Sequence, residues 1–227
     1  MEIINRRLTI HEFRNYVRDY FFGTHPANKL VIHHTWRPTK SQWQGQTSIN
    51  GLRAYYEGKT WPAGPHIFVA EDGIWLFSPM NKDGIHAGTL NARSIGIEIV
   101  GDYDNEIWSG QTKENALGVI QVLMEKLNLN ASNIAFHRDV SPKTCPGSAI
   151  TKEWLFNELS NFRIKPRIPN PITDGIPVPA DDEVLIPIWA TDAVSFVLKN
   201  RLFEIKSKDD VRDAVKFYRF YQIIRDV

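Results

Sequence analysis

In residues 94 to 100, SIGIEIV, the first six alternate strictly between large apolar side chains and small or polar ones. Successive side chains of a β-strand point to opposite faces, so the isoleucines share one face while Ser94, Gly96 and Glu98 share the other. A carboxylate in the middle of such an apolar strand is costly to bury without a purpose. The segment therefore predicts a core strand whose second face carries a functional carboxylate. The alternative is that Glu98 is a solvent-facing strand residue.

Short apolar segments alternate with helical patterns along the first 160 residues. Residues 29–33 and 133–137 read as buried strands, and each ends in a histidine. A capping box from Thr9 to Glu12 predicts one amphipathic helix, and residues 112–128 predict another. This alternation indicates an α/β sheet covered by helices, with functional loops at the strand ends. The first helix is expected to bury one stripe, formed by Phe13, Val17, Tyr20 and Phe21.

Two further local patterns predict a helix and a hairpin. Ser48 is expected to cap a short helix that carries Leu52 and Tyr56. Residues 67–70 and 74–77 flank a turn in which Gly73 supplies a positive φ, as a hairpin requires.

The composition changes after residue 164 and indicates a division of the chain. Residues 165–187 contain six of the 13 prolines, which favours an extended linker. We expect a main domain over 1–164 and a small helical module over 188–227. Within that module, helices are predicted at 191–199 and 207–224. Two roles are considered for this module: binding to the cell wall, and oligomerisation, including a homodimer through these helices.

The charge balance and the hydropathy exclude several classes of partner. Lysine and arginine number 27 against 26 acidic residues, a net charge of +1, so we expect no nucleic acid and no anionic membrane as partner. No apolar run approaches 18 residues, and the first residues lack a signal-peptide core, which predicts cytoplasmic synthesis without a membrane span. A substrate outside the membrane would then require separate release of the protein.

Cys145 is the single cysteine of the chain. It cannot form an internal disulfide, so it is a buried apolar residue, a metal ligand or a nucleophile. A catalytic zinc site uses three protein ligands and leaves a fourth position open. His33, His137 and Cys145 offer such a set, but their spacing alone does not separate a metal site from a buried structural cysteine.

Five motifs occur in order between residues 29 and 160: VIHHT at 31–35, GPHIFVAEDG at 64–73, HAG at 86–88, SIGIEIVG at 94–101 and HRDVSPKTCPG at 137–147. Together they resemble the zinc-dependent N-acetylmuramoyl-L-alanine amidases, which include phage lysis amidases, anhydromuropeptide amidases and animal peptidoglycan recognition proteins. The resemblance implies a central mixed β-sheet flanked by helices, Zn²⁺ as cofactor, and peptidoglycan or a muropeptide as substrate.

The resemblance also implies roles for individual residues. It makes His33, His137 and Cys145 the zinc ligands and Lys143 the counterpart of the family's catalytic lysine. Glu98 matches the carboxylate that relatives of the anhydromuropeptide amidases use. Further candidates, for substrate contacts, lie in or beside the motifs, where solvated or structural roles are the alternative: His34, His66, His86, Asn91 and Arg93.

The chain departs from the phage-type pattern at Pro65. Phage-type amidases carry a catalytic tyrosine seven residues before the Asp-Gly turn, and proline has no hydroxyl to replace it. This departure favours the version of the mechanism in which Glu98 transfers the proton.

We therefore expect hydrolysis of the amide between N-acetylmuramic acid and L-alanine, by a phage or prophage lysis enzyme acting at the cell wall. The alternatives are a cytosolic muropeptide-recycling amidase and a peptidoglycan-binding module without activity. A hydrolase in which Cys145 is the nucleophile and His137 the base is a third alternative.

Overall fold

The computed structural model describes residues 1–164, residues 191–200 and, beyond these, residues 202, 210, 213, 214, 216 and 218. The chain divides into two compact units, Met1–Ile164 and Lys165–Val227. The linker predicted at 165–187 lies outside the described residues. In the part of the chain that is described, no helix combines the length and the apolar character that crossing a membrane would need.

A six-stranded sheet organises the first unit. Its strands are β1 (Arg6–Leu8), β2 (Lys29–His34), β3 (Ile67–Ala70), β4 (Gly73–Leu76), β5 (Ser94–Ile99) and β6 (Ile134–Phe136). They lie in the order β1-β4-β3-β5-β2-β6. β2 is parallel to both β5 and β6, and β3 is parallel to β5, whereas β4 is antiparallel to β1 and β3. The sheet is therefore mixed, as predicted, and β2 lies in its interior.

Four helices accompany this sheet, and a fifth lies in the second unit. They are α1 (Ile10–Asp19), α2 (Gln46–Gly58), α3 (Gly110–Leu127), α4 (Lys152–Asn161) and α5 (Thr191–Lys199). The predicted capping box begins α1: the Glu12 amide donates to Thr9 Oγ1 at 3.3 Å, and the Thr9 amide donates to Glu12 Oε2 at 2.8 Å. These bonds satisfy backbone donors that the first helical turn leaves unpaired.

The two faces of the sheet differ in character. On one face, the isoleucines of β5 pack with Phe13 of α1 and Val119 of α3 in the main hydrophobic core. The other face has a second apolar cluster, in which Tyr56 of α2 contacts Phe77. Glu98 lies on this second face, as the alternation of residues 94–100 predicts, because its register partner on β3 is Phe68.

Two sequence predictions about helix ends are wrong. α2 begins at Gln46 after Gly45, whose φ of +54° lies in the left-handed region, and Ser48 accepts a hydrogen bond from the Gln44 amide instead of capping the helix. Phe21 does not belong to the buried stripe of α1, because the helix ends at Asp19. Its side chain is 71% exposed. The sequence patterns also did not predict β1 or α4.

The second unit contains the predicted helix at Thr191–Lys199. Ala193, Val194 and Val197 of this helix form a small buried cluster with Ala214. Of the second predicted helix, over 207–224, the described residues 210, 213, 214, 216 and 218 are helical, and the others lie outside the described residues. A homodimer through these helices stays a prediction.

Phe13 and Phe21 provide a matched pair for testing the role of α1 in the core. Phe13 is 0% exposed, so Phe13→Ala should lower the free energy of unfolding by about 3–5 kcal/mol through lost burial and the cavity left behind. Phe21→Ala should change it by less than about 0.5 kcal/mol. Urea unfolding followed by tryptophan fluorescence measures both free energies. Equal decreases in the two variants would show that α1 does not pack through Phe13 as described.

Candidate metal and catalytic site

The pairing of β2 with β5 brings His33 and Glu98 together. The parallel register sets His33 opposite Glu98, and their side chains share the second face of the sheet. His33 Nδ1 lies 3.9 Å from Glu98 Oε1. The two residues are 1% and 9% exposed, so an imidazole and a carboxyl group meet in a buried position.

β6 brings His137 to the same place from the other side of β2. The strand ends at Phe136, and His137 opens the short helical turn that follows. The ring centroids of His33 and His137 are 4.7 Å apart. Cys145 Sγ lies 3.6 Å from His33 Nδ1, and one ligand atom from each of the three residues lies within 4.8 Å of the others.

The separation of Cys145 Sγ and His33 Nδ1 fits two ligands of a tetrahedral zinc site. Bond lengths of about 2.3 Å to sulfur and about 2.05 Å to nitrogen, at tetrahedral angles, separate the two donor atoms by about 3.6 Å. The observed distance between Cys145 Sγ and His33 Nδ1 is 3.6 Å. In addition, Glu98 Oε2 is buried and has no hydrogen-bond partner among the described residues. An orphaned carboxyl oxygen beside such donors indicates a site for a ligand.

Arg138 fixes the loop that carries Cys145. Its backbone amide donates to the Cys145 carbonyl at 2.8 Å. Its guanidinium group donates to the carbonyls of Thr144 at 3.0 Å and Gly147 at 2.8 Å, and also to that of Ile150. Sequence reasoning missed this residue, although it directly follows His137 in the HRD motif. The Arg138 side chain thus ties together three carbonyls around the turn that carries the thiol.

Gly147 lets the same loop approach the segment after β5. Its φ is +112°, and an added Cβ would lie 2.3 Å from the Tyr103 carbonyl oxygen, so only glycine fits there. The Tyr103 amide in turn donates to His34 Nδ1 at 3.2 Å. His34 follows His33 on β2, so its ring points away from the ligand set. Its backbone amide, however, donates to Cys145 Sγ at 3.4 Å.

Burial favours the neutral form of each group in the cluster. Desolvation raises the pKa of Glu98 to about 8 and also raises the pKa of the Cys145 thiol. It lowers the pKa of His33 well below the ordinary value, with the neighbouring histidines adding to the effect. Desolvation also lowers the pKa of His137, and the charge of Lys143 contributes. Neutral imidazoles keep a lone pair available for a metal ion.

The two cationic candidates, Lys143 and Arg93, lie at different distances from the cluster. Lys143 is exposed on the loop between His137 and Cys145, and its charge acts on both of those groups. Arg93 is exposed just before β5, where its backbone amide donates to Asp83 Oδ1 at 2.9 Å. Arg93 precedes the start of β5, whereas Glu98 lies near the end of that strand. Of these two cations, Lys143 is therefore the one beside the cluster.

The remaining candidates for substrate contacts are His66, His86 and Asn91, and they lie on the Nε2 side of His33, away from Cys145. His86 Nδ1 is 3.0 Å from His33 Nε2. His66 uses both ring nitrogens, since Nδ1 accepts from the Gly96 amide at 2.9 Å and Nε2 donates to the Lys82 carbonyl at 3.0 Å. Asn91 Oδ1 accepts from the backbone amides of His86 at 2.9 Å and Ala87 at 2.6 Å. The hydrogen bonds of these side chains support the site, and their contact with substrate stays a prediction.

Comparisons with known proteins identify sequence relatives and structures of similar fold. Residues 23–148 match the family model of N-acetylmuramoyl-L-alanine amidases. A peptidoglycan-recognition protein of Drosophila melanogaster is 27% identical over 148 residues, which cover 62% of this chain and 79% of that relative. The endolysin N-acetylmuramoyl-L-alanine amidase LysCS from Clostridium intestinale is similar at TM-score 0.50 and 26% identity, covering 61% of this chain and 86% of its own. A variant of Drosophila PGRP-LB in complex with tracheal cytotoxin is similar at TM-score 0.52 and 25% identity, covering 63% and 86%.

The accessibility of Cys145 tests the role of Arg138. Because Cys145 is the single cysteine, a thiol reagent reports on this loop alone. Hydrogen bonds from a charged donor contribute about 1.5–3 kcal/mol each, so Arg138→Ala should speed the labelling of Cys145 roughly 10-fold or more. The measurement is made with a chelator present. Arg163→Ala, which removes an exposed guanidinium from the end of α4, should leave the rate unchanged. An unchanged rate in Arg138→Ala would show that other contacts hold the loop.

Proposed function

The chain belongs to the N-acetylmuramoyl-L-alanine amidase family, and we propose that it is a zinc-dependent enzyme that hydrolyses the amide between N-acetylmuramic acid and L-alanine in peptidoglycan. The observation that carries this proposal is the convergence of His33, His137 and Cys145 beside the buried Glu98. Three ligands with an open fourth position are typical of catalytic zinc sites. The similarity to an endolysin amidase, and to a protein bound to tracheal cytotoxin, supports peptidoglycan or muropeptides as the substrate class.

The three donors suit zinc by their chemical nature, and the separation of Cys145 Sγ and His33 Nδ1 suits it as well. Two neutral imidazoles and one thiolate match the borderline-soft character of the ion. When bound, zinc would supply Lewis acidity, which polarises the scissile carbonyl and makes a water molecule acidic enough to react near neutral pH. Cys145 must lose its proton to act as a ligand, so binding would release a proton from the thiol.

Glu98 is the proposed proton carrier. Its Oε1 lies 3.9 Å from His33 Nδ1, and its Oε2 has no hydrogen-bond partner among the described residues. It would accept the proton of the attacking water and return it to the leaving nitrogen. Burial raises the pKa of Glu98 to about 8. A cation held by the three ligands would lower this pKa again, because it favours the ionised carboxylate. Pro65 has no hydroxyl to share this task, and its carbonyl accepts from the Ser78 amide.

Lys143 is the proposed partner for the negative charge that develops on the carbonyl oxygen. It is exposed two residues before Cys145, on a loop that borders the cluster. An ammonium group there would stabilise the oxyanion electrostatically, and donors of this kind are typically worth about 10²–10³ in turnover. The stem peptide carbonyl would then lie between Lys143 and the ligand set.

The biological setting follows from the form of substrate that is cleaved. A phage or prophage lysis enzyme should digest purified sacculi, whereas a recycling amidase should prefer soluble anhydromuropeptides. Both substrates are digested in parallel, and mass spectrometry identifies products with a free lactyl carboxyl group and a free L-alanine amino group. Several relatives are recognition proteins. Tight binding of a muropeptide without either product would therefore favour a binding module.

Substitution of Cys145 tests the metal site. Cys145→Ser should lose stoichiometric zinc and activity together, because a hydroxyl does not replace a thiolate ligand. Cys145→Asp keeps an anionic ligand and should retain part of the zinc. Metal content is measured after equilibrium dialysis, and activity is measured on sacculi. If Cys145 is instead a nucleophile, activity should survive complete removal of the metal and disappear on thiol alkylation.

Substitution of Glu98 separates proton transfer from metal binding. Glu98→Gln has nearly the same shape, so it should retain zinc while losing roughly 10²–10⁴-fold in turnover, the usual contribution of a general acid–base group. Glu125→Gln, which removes an exposed carboxylate from α3, is the control and should be fully active. Full activity of Glu98→Gln would assign proton transfer to another group.

A further inference from the structure

We infer that His86 and Ser94 are positioning residues for His33: together they fix its ring and its protonated nitrogen, so that the lone pair of Nδ1 faces His137 and Cys145. The inference rests on the proposed role of His33 as a metal ligand. A continuous chain of contacts carries it. Ser94 Oγ is 3.3 Å from His86 Nε2, His86 Nδ1 is 3.0 Å from His33 Nε2, and His33 Nδ1 is 3.6 Å from Cys145 Sγ.

The position of each proton in this chain follows from counting donors. The Ser94 hydroxyl has one hydrogen, which it donates to the Leu90 carbonyl, with the Asn91 carbonyl as a longer alternative at 3.4 Å. Ser94 therefore offers only a lone pair to His86, so His86 carries its proton on Nε2. The Nδ1 of a neutral His86 is then an acceptor, and His33 must donate from Nε2. Consequently, Nδ1 of His33 is unprotonated.

Two glycines leave the space that the His86 ring occupies. An added Cβ on Gly96 would lie 2.6 Å from His86 Cγ, and one on Gly84 would lie 3.1 Å from His86 Cδ2. The ring thus occupies a slot that side chains at these two positions would close. Asn91 holds the backbone of the same segment through the amides of His86 and Ala87.

His66 closes the back of this slot without joining the proton chain. Its ring lies 5.6 Å from that of His86, edge to face. Both of its nitrogens are engaged by backbone groups, those of Gly96 and Lys82. It therefore offers no competing acceptor to His86, and among the described residues Ser94 Oγ is the hydrogen-bond partner of His86 Nε2.

The arrangement matters because a neutral imidazole can carry its proton on either nitrogen. Nδ1 of His33 also faces Glu98 Oε1 at 3.9 Å, which would attract a proton to that nitrogen. A proton there would occupy the lone pair that the metal needs. The acceptor at His86 opposes this, and partners of this kind typically change metal affinity 10- to 100-fold when they are removed.

Zinc affinity of the full chain, measured by competition with a chelating dye, tests the inference. Ser94→Ala should lower the affinity about 10-fold and His86→Leu about 10- to 100-fold. His86→Asn should recover part of the loss, because its Oδ1 can accept from His33 Nε2. Ser78→Ala is the matched control, since Ser78 is as buried as Ser94 and the hydrogen bonds of its hydroxyl are to the backbone of Gly64. Unchanged affinity in both Ser94→Ala and His86→Leu would overturn the inference.

A second readout does not depend on metal binding or activity. Long-range ¹H–¹⁵N spectra of the protein in the presence of a chelator report which nitrogen of His33 is protonated. We expect Nε2 in the wild type and in Ser78→Ala, and a growing Nδ1 population in Ser94→Ala and His86→Leu. Protonation of Nδ1 in the wild type would overturn the inference even if the protein cleaves peptidoglycan. Conversely, if Nε2 is protonated but the protein does not cleave peptidoglycan, the inference stands and the proposed function fails.

Discussion

The parallel register between β2 and β5 is the constraint on which the site depends. A slip of one residue would move every side chain of a strand to the opposite face, and the isoleucines of β5 must face α1 and α3 to complete the main core. The hydrophobic face therefore dictates where the polar face points. Because His33 is opposite Glu98 in this register, the burial of isoleucines on one side determines the meeting of an imidazole and a carboxyl group on the other.

The polar face is stable because nearly all of its groups are hydrogen-bonded. Burying an unpaired polar group costs about 1–3 kcal/mol, and such groups are rare in native proteins. His66, Asn91 and Ser94 each have their hydrogen bonds satisfied by neighbouring backbone. Glu98 is different, since its Oε2 lacks a partner among the described residues. The cost of an unpaired buried group thus falls on the carboxyl group of Glu98 beside the ligand set. A bound reactant could donate a hydrogen bond to this oxygen.

Much of the fold was predictable because local periodicity decides it. The alternation at 94–100, the strand predicted at 29–33 and the capping box at Thr9 all correspond to observed elements, and the strand predicted at 133–137 is observed at Ile134–Phe136, with His137 directly after it. The start of α2 was not predictable, since it depends on a left-handed Gly45 that leaves no periodic signal. The ligand set was suggested by the order of the motifs. The chain from Ser94 to His86 was not, because those two side chains meet only through tertiary packing over Gly96.

The three donor residues come from structurally different segments. His33 lies within a strand that is paired on both sides, and His137 directly follows another strand. Cys145 instead belongs to a loop whose position depends on hydrogen bonds from Arg138. Two imidazoles fixed by the sheet thus form a preorganised pair, and the thiol completes the set from a separate segment. The loop that carries the thiol also carries Lys143, so a change in that loop would move a ligand and the neighbouring cation together, whereas Glu98 would stay with the sheet.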